Sequence, residues 1–378
     1  KVTTADDDAV AINFGTSTTG TRVVDSTAMS TASKALTLTG SDVVTLTSTN
    51  AAINASSYAG QIDATVTNTV DTNLQIGTAN ANVTAKGADA SKTLTLNAAA
   101  NTANTLTIVD GGTVAGDIAV TNAKSTVTVA DAFTGTGEVK VTTADDDAVA
   151  INFGTSTTGT RVVDASALTD ADLLTLTGSD AVTVTLNGGD ISAGSYAGSI
   201  DLTLSGSATN IVTTGTGADT ITIDASQLTE NDRITGGSGS DTLKITGTHT
   251  LQVKDFTAVG NSSDIEVVSL EGDITINAAV LDSLTSDRFS VANTKTLNVT
   301  DYSGESLQDI DNVSGGSNGI FNLTFASGSL ASIFESATSS VLRSDASATL
   351  AIADSINAAA TPLTYDQAKA IRAANTDV

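Results

Sequence analysis

Apolar and polar residues alternate in short runs along most of this chain, and many of the runs follow an aspartate. The pattern stands at Asp8-Ala-Val-Ala-Ile12, Asp42-Val-Val-Thr-Leu46, Asp147-Ala-Val-Ala-Ile151, Asp180-Ala-Val-Thr-Val184, Asp219-Thr-Ile-Thr-Ile223, Asp241-Thr-Leu-Lys-Ile245 and Asp273-Ile-Thr-Ile276. A period of two is what a strand with one buried face requires. The turns entering these runs are rich in Gly, Ser and Asp, so the pattern predicts many short strands, each reached through an acidic turn.

The runs belong to a larger repeat. Lys1 to Asp25, KVTTADDDAVAINFGTSTTGTRVVD, recurs without a change as Lys140 to Asp164. Beyond it the copies diverge but stay legible. Leu36-Thr-Leu-Thr-Gly-Ser-Asp42 returns as Leu174-Thr-Leu-Thr-Gly-Ser-Asp180, and Ser57-Tyr-Ala-Gly60 as Ser195-Tyr-Ala-Gly198. A finer period shows when Asp164 to Asp172 is laid on Asp224 to Asp232, a spacing of about three turns of roughly 20 residues each. Internal repetition of this kind marks stacked architectures in which each unit buries its apolar face against its neighbours. The expected fold is therefore all-β, a parallel β-solenoid with β-roll-like repeats. Lys1 aligns with Lys140, which lies inside the strand-like run Gly137 to Thr143, so the first copy is expected to open inside a strand of a larger protein.

The C-terminal third changes character. Helical stretches are expected at Gly328–Ser339 and Ala348–Ala360. After Pro362, Thr364-Tyr-Asp-Gln367 has the spacing of a capping box and predicts a helix through Ala374. The organisation expected is a first repeat block over 1–139, a second over 140–248 that contains calcium-type turns, and strands with short helices over 249–378.

Composition narrows the function. Against 16 Lys and Arg stand 42 Asp and Glu, a net charge of -26, which disfavours nucleic acid and anionic membrane and favours divalent cations. Hydrophobic residues are still 40%, which argues against disorder, while aromatics are only 3%, which suits thin layers of small aliphatic side chains. With no cysteine there is no disulfide, thiolate metal site or cysteine nucleophile. No apolar run reaches the ~18 residues of a membrane span.

One motif carries chemistry. Gly236-Gly-Ser-Gly-Ser-Asp-Thr-Leu-Lys244 is a full match to GGxGxDxUx, the nonapeptide of calcium-binding β-rolls. Its glycines, Gly237 and Gly239 among them, permit a tight turn with carbonyl oxygens facing inward; Asp241 adds a carboxylate and Leu243 anchors the strand. A degenerate copy, Thr214-Gly-Thr-Gly-Ala-Asp-Thr-Ile-Thr222, offers Gly215, Gly217 and Asp219. Its spacing from the full motif exceeds the 18 residues of an orthodox β-roll.

These residues, with Asp255-Phe-Thr-Ala-Val-Gly260 and Ile265-Glu-Val-Val-Ser-Leu-Glu271, make the chain resemble the RTX-type calcium-binding proteins exported by Gram-negative bacteria, and more narrowly their surface-layer and giant-adhesin members. The resemblance covers about residues 212 to 275 in specific motifs. It implies type I secretion, an extracellular place on the bacterial cell surface, calcium-dependent folding, self-assembly into a lattice or end to end, and no catalysis. It also leaves room for cell-surface polysaccharide as a partner of regions outside this chain. The runner-up is the stalk of a calcium-dependent adhesin, with the same fold and ion.

Further calcium candidates are the carboxylate triplets Asp6, Asp7, Asp8 and Asp145, Asp146, Asp147, and the recurring pairs Asp164 and Asp172, Asp224 and Asp232. Hard cations take several oxygens, yet acidic turns are also simply solvated. Thr-x-Thr runs such as Thr37-Leu-Thr39 and Thr183-Val-Thr185 admit an ice-binding face, but threonine is equally an ordinary strand former. The lone His249 has no catalytic partner at a familiar spacing, and the scattered Lys and Arg do not make the basic cluster of a polysaccharide lyase.

Overall fold

The computed structural model describes most of residues 1–302, apart from short stretches such as 5–7, 17–19, 145–147 and 156–158 and two longer ones, 256–263 and 278–287. Beyond residue 302 the described residues are three strands, Val313–Gly315, Ile320–Phe325 and Thr349–Ile352. The fold is an all-β parallel solenoid. The chain divides into two compact units, the first Lys1–Ala208 with Thr213–Gly217, the second Thr209–Val212 with Ala218–Val378.

In the first unit successive strands alternate between two parallel sheets. One holds β1 (Val2–Thr3), β3 (Thr21–Ser26), β5 (Val43–Thr49), β7 (Ile62–Asn68), β9 (Ala81–Gly87), β11 (Thr105–Asp110), β13 (Thr126–Val129), β15 (Ala148–Asn152), β17 (Leu173–Thr177) and β19 (Asp190–Ser192), in that order. The other holds β2 (Val10–Asn13), β4 (Ala35–Thr39), β6 (Ala52–Asn54), β8 (Thr72–Gln75), β10 (Thr93–Asn97), β12 (Asp117–Ala123), β14 (Glu138–Thr143), β16 (Thr160–Ala165), β18 (Val182–Leu186) and β20 (Ile200–Leu204). Each turn thus contributes one strand to each sheet, and the alternation puts one face of every strand into the core between them. Ladder partners stack like on like: Leu36, Ile53, Leu74, Leu96, Val120, Val141, Val163, Val184 and Leu202 form one unbroken inward column. Each is 3% exposed or less, a gain of about 1.5–3 kcal/mol per side chain over leaving it in water.

The duplicated segment does not return to its own sheet. In the first copy Val10–Asn13 is β2 and Thr21–Ser26 is β3; in the second the same residues form β15 and β16, each in the opposite sheet. The repeat spans an odd number of strands, β1 matching β14, whereas a turn takes two. The second copy is therefore displaced by half a turn, and identical sequence lies on opposite faces of the unit. The inward parity is kept. Val149 and Ile151 are each 1% exposed, and Val10 and Ile12 face the same way but are half-buried. The difference follows from neighbours, because β15 pairs with both β13 and β17 while β2 is described pairing only with β4.

In the second unit β22 (Thr220–Asp224), β24 (Thr242–Thr246), β26 (Val267–Leu270), β28 (Arg288–Val291) and β30 (Val313–Gly315) form one parallel ladder. A second runs through β25 (Thr248–Leu251), β27 (Asp273–Asn277), β29 (Thr296–Tyr302), β31 (Ile320–Phe325) and β32 (Thr349–Ile352). Two short strands, β21 (Ile211–Thr213) and β23 (Arg233–Thr235), are neighbours in a separate ladder. The helix expected over Ala348–Ala360 is corrected in part: Thr349–Ile352 is a strand whose Thr349 and Ile352 pair with Ile320 and Leu323. Thr-Leu-Ala-Ile alternates with period two and finds an open ladder on β31, which outweighs the helix propensity of the alanines. The helices expected at Gly328–Ser339 and Thr364–Ala374 lie outside the described residues. Among the described residues, no helix is long and apolar enough to cross a membrane.

Candidate functional site

The aspartates that open the strands are not mere solvated turns. Asp42, Asp180, Asp219 and Asp241 are all buried, at 1%, 4%, 1% and 0% exposure. A carboxylate so placed needs hydrogen bonds and a counter-charge, and the two units meet that need differently.

In the first unit the counter-charge is an arginine on the preceding rung. Arg22 Nε donates to Asp42 Oδ2 at 2.6 Å, and Arg161 Nε donates to Asp180 Oδ2 at 2.8 Å. A tyrosine completes each arrangement: Tyr58 Oη donates to the Asp42 carbonyl, and Tyr196 Oη to the Asp180 carbonyl at 2.5 Å. Burial, followed by the charge of Asp42, pushes the Tyr58 phenol up to about 12, with Arg22 opposing. The second copy is the more enclosed. Arg161 has no side-chain exposure against 40% for Arg22, and its guanidinium lies 5.5 Å from the centre of the Phe133 ring. Burial still raises the Asp180 pKa, outweighing the lowering by Arg161.

In the second unit the charged groups of the described residues acting on Asp241 are all carboxylates. Asp241 Oδ1 accepts the Asp219 N–H at 2.9 Å, and the Asp241 N–H donates to Glu266 Oε2 at 2.6 Å. Its carbonyl accepts the N–H groups of Glu266 and Val267 at 3.2 and 3.1 Å. Asp241 Oδ2 is buried with no hydrogen-bond partner. Burial raises the Asp241 carboxyl to about 6, the Asp219 N–H lowers it, and the carboxylates of Asp219, Glu266 and Asp264 raise it further; no cation enters.

The glycines of the two turns serve identifiable ends. Gly237 and Gly239 have φ of 92° and 141°, in the region that favours glycine. Gly236 is needed for close approach, since a Cβ there would lie 2.0 Å from the Asp264 carbonyl and 2.7 Å from Asp241 Oδ2. In the first unit Gly215 and Gly217 are needed for close approach: a Cβ would lie 2.0 Å from the Tyr196 carbonyl and 2.3 Å from the Gly198 carbonyl, respectively. The 22-residue spacing of the two turns is one turn of this solenoid, for Thr220 pairs with Thr242 and Ile223 with Ile245.

The remaining candidates are placed as hydrogen-bond acceptors. Asp164 Oδ1 accepts Ser166 Oγ at 2.6 Å and Asp164 Oδ2 lies 3.5 Å from Lys140 Nζ; Asp224 Oδ1 accepts the Ser226 N–H and Oγ at 2.9 and 2.5 Å. These bonds, the serine hydroxyl first, lower both pKa values. Asp172 and Asp232 are buried and accept Thr169 and Thr229 through both N–H and Oγ, and Asp232 also accepts the Asn210 N–H at 2.8 Å. Asp8 is exposed. Asp6, Asp7, Asp145, Asp146 and Asp147 lie outside the described residues.

Among the described residues, no three His, Cys, Asp or Glu side chains converge closely enough to hold a metal ion. The sequence did not point to Arg22, Arg161, Tyr58, Tyr196, Asp264 or Glu266. For the arginines a signal existed, since Arg161 shares the inward parity of Val163 and Ala165. Comparison with known protein families, with curated proteins and with solved structures found no match to this chain.

Proposed function

We propose that this chain is a non-enzymatic, structural part of a bacterial surface layer, exported from the cell and stabilised by extracellular calcium bound beside Asp241. The solenoid is compatible with a structural or adhesin-like repeat protein. What carries the calcium reading is Asp241 Oδ2, buried and without a partner among three further carboxylates. In the first unit Asp42 Oδ1 and Asp180 Oδ1 are likewise buried without a hydrogen-bond partner, but Arg22 and Arg161 supply a positive charge on the other oxygen, whereas among the described residues no cation acts on Asp241. Calcium would supply the missing charge and complete its coordination from carbonyl and water oxygens, of which it takes about six to eight in all. Sites of this kind in extracellular modules work at ~10⁻⁴–10⁻³ M calcium.

Isothermal titration tests the proposal. The wild-type chain should take up calcium with sub-millimolar to millimolar affinity and magnesium much more weakly. Asp241→Asn should lose that uptake while keeping its β circular dichroism. Equal calcium uptake by wild type and Asp241→Asn would rule the site out.

A further inference from the structure

The two copies of the repeat part company at one corner of the first unit. In the register that sets Asp180 on Asp42 and Tyr196 on Tyr58, Asn187-Gly188-Gly189 stands where the first copy has Thr49-Asn50-Ala51, and Gly206 stands where it has Asn68. The first copy holds this corner with hydrogen bonds. The Asn50 N–H donates to the Thr67 carbonyl at 3.0 Å, and the Asn50 side chain donates through Nδ2 to Thr69 Oγ1 at 2.9 Å and accepts the Thr69 N–H at 2.7 Å. The second copy lacks the matching main-chain bond. The Ser205 N–H still donates to the Leu186 carbonyl at 2.8 Å, but the Gly188 N–H, the counterpart of the Asn50 N–H, has no acceptor among the described residues. Gly188 is buried, and a main-chain N–H so placed is seldom left unpaired.

The residue just before that N–H is Asn187, which is exposed. Its Oδ1 accepts Ser205 Oγ at 3.5 Å, a hydroxyl that also donates to the Leu186 carbonyl at 3.2 Å. Gly206 makes room for this amide, since a Cβ on Gly206 would stand 2.8 Å from Asn187 Oδ1. The side-chain carbonyl is thus polarised by a donor, and Nδ2 has no acceptor among the described residues.

An asparagine followed by glycine carries an electrophile and a nucleophile on adjacent residues. When a solvent base takes the Gly188 proton, the nitrogen attacks Asn187 Cγ; the Cγ–Nδ2 bond breaks, ammonia leaves, and a cyclic imide closes. Water then opens the ring at either carbonyl carbon, leaving aspartate or isoaspartate at position 187. Nothing is oxidised or reduced. A Cβ on the attacking residue would hinder the approach, and glycine has none. A hydrogen-bonded N–H would have to be released first, and that of Gly188 is already free. The first copy cannot follow this course here, because Thr49 has no amide to lose.

We propose that Asn187 is a site of spontaneous deamidation, a modification by which the corner between β18 and β19 ages while its counterpart in the first copy does not. Either product adds a negative charge to a chain already at -26. Isoaspartate also adds an atom to the main chain, in a corner that is stacked closely on Gly206. Asn187 lies in the first unit, so the proposal does not rest on the cation site.

Peptide-resolved mass spectrometry of the folded full chain, held in chelator at mildly alkaline pH and sampled over weeks, reads the exchange of an amide NH2 for OH. The peptide carrying Asn187 should convert several-fold faster than those carrying Asn50, Asn54 or Asn97, and its product should divide into aspartate and isoaspartate forms that elute apart. Asn318-Gly319, outside the described residues, is read on a peptide of its own. Gly188→Asn, which installs the residue of the first copy, should slow the conversion of Asn187 several-fold. If that variant fails to fold, Ser205→Ala removes the donor to Oδ1 instead and should slow it too. An Asn187 that stays intact in the folded chain while converting in urea, or that converts no faster than Asn50, would overturn the proposal.

Discussion

Arg161 donates through Nε to Asp180 Oδ2 at 2.8 Å inside the solenoid, and neither side chain has more than 4% of its surface in water. Removing one partner of such a pair leaves a buried charge uncompensated. Arg161→Leu should therefore cost about 3–5 kcal/mol in urea unfolding. Its counterpart Arg22→Leu should cost clearly less, because Arg22 is 40% exposed and water can replace it. Equal losses at the two positions would contradict the difference in burial.

The glycines of the degenerate turn separate a steric role from a metal role. Gly215→Ala sets a Cβ against the Tyr196 carbonyl, an overpacking worth about 1–3 kcal/mol. The loss should be the same with calcium or with chelator. A loss seen only in calcium would move Gly215 into the ion site.

Asp241 fixes the sign of the pH dependence. Its carboxyl is raised from 3.8 to about 6, so without metal the folded state holds a proton that the unfolded chain has released. Stability from this group is full below the ordinary value and falls as pH rises through about 6. In chelator the second unit should therefore melt higher at pH 5 than at ~pH 7, and Asp241→Asn should abolish the difference. Asp164 and Asp224, lowered by their serines, act oppositely and lose their contribution as pH falls through and below 3.8.

Asp224→Ala tests whether the recurring acidic pairs serve turns or ions. It removes the bonds to the Ser226 N–H and hydroxyl, at a cost of about 1 kcal/mol or less for so exposed a group. Calcium uptake measured by titration should not change. A lost calcium site would reassign Asp224 as a ligand.

The strands were legible because alternation with period two survives in nearly every run, and the repeat announced the stacking. The half-turn displacement was not, since it depends on how many strands lie between Lys1 and Lys140, and runs such as Thr72–Gln75 or Asp190–Ser192 are too short to read as strands. In the sequence Asp42 and Asp180 stand only as the turn residues that open strands, while Asp219 and Asp241 are marked as calcium candidates by their motif. Their burial depends on distant partners such as Arg161, Tyr196 and Glu266, which no local spacing encodes. The paired Gly236 and Asp241 were singled out by their motif, and they are where the second unit leaves a buried carboxylate oxygen unanswered.

Differential scanning calorimetry in millimolar calcium and in excess chelator tests the central claim most directly. A calcium ion that binds the folded second unit and not the flexible chain, as proposed, should raise that unit's transition by several degrees and more as calcium rises. The transition of the first unit, whose buried aspartates carry their own arginines, should stay in place. Superimposable melts in calcium and in chelator would contradict a calcium-stabilised solenoid.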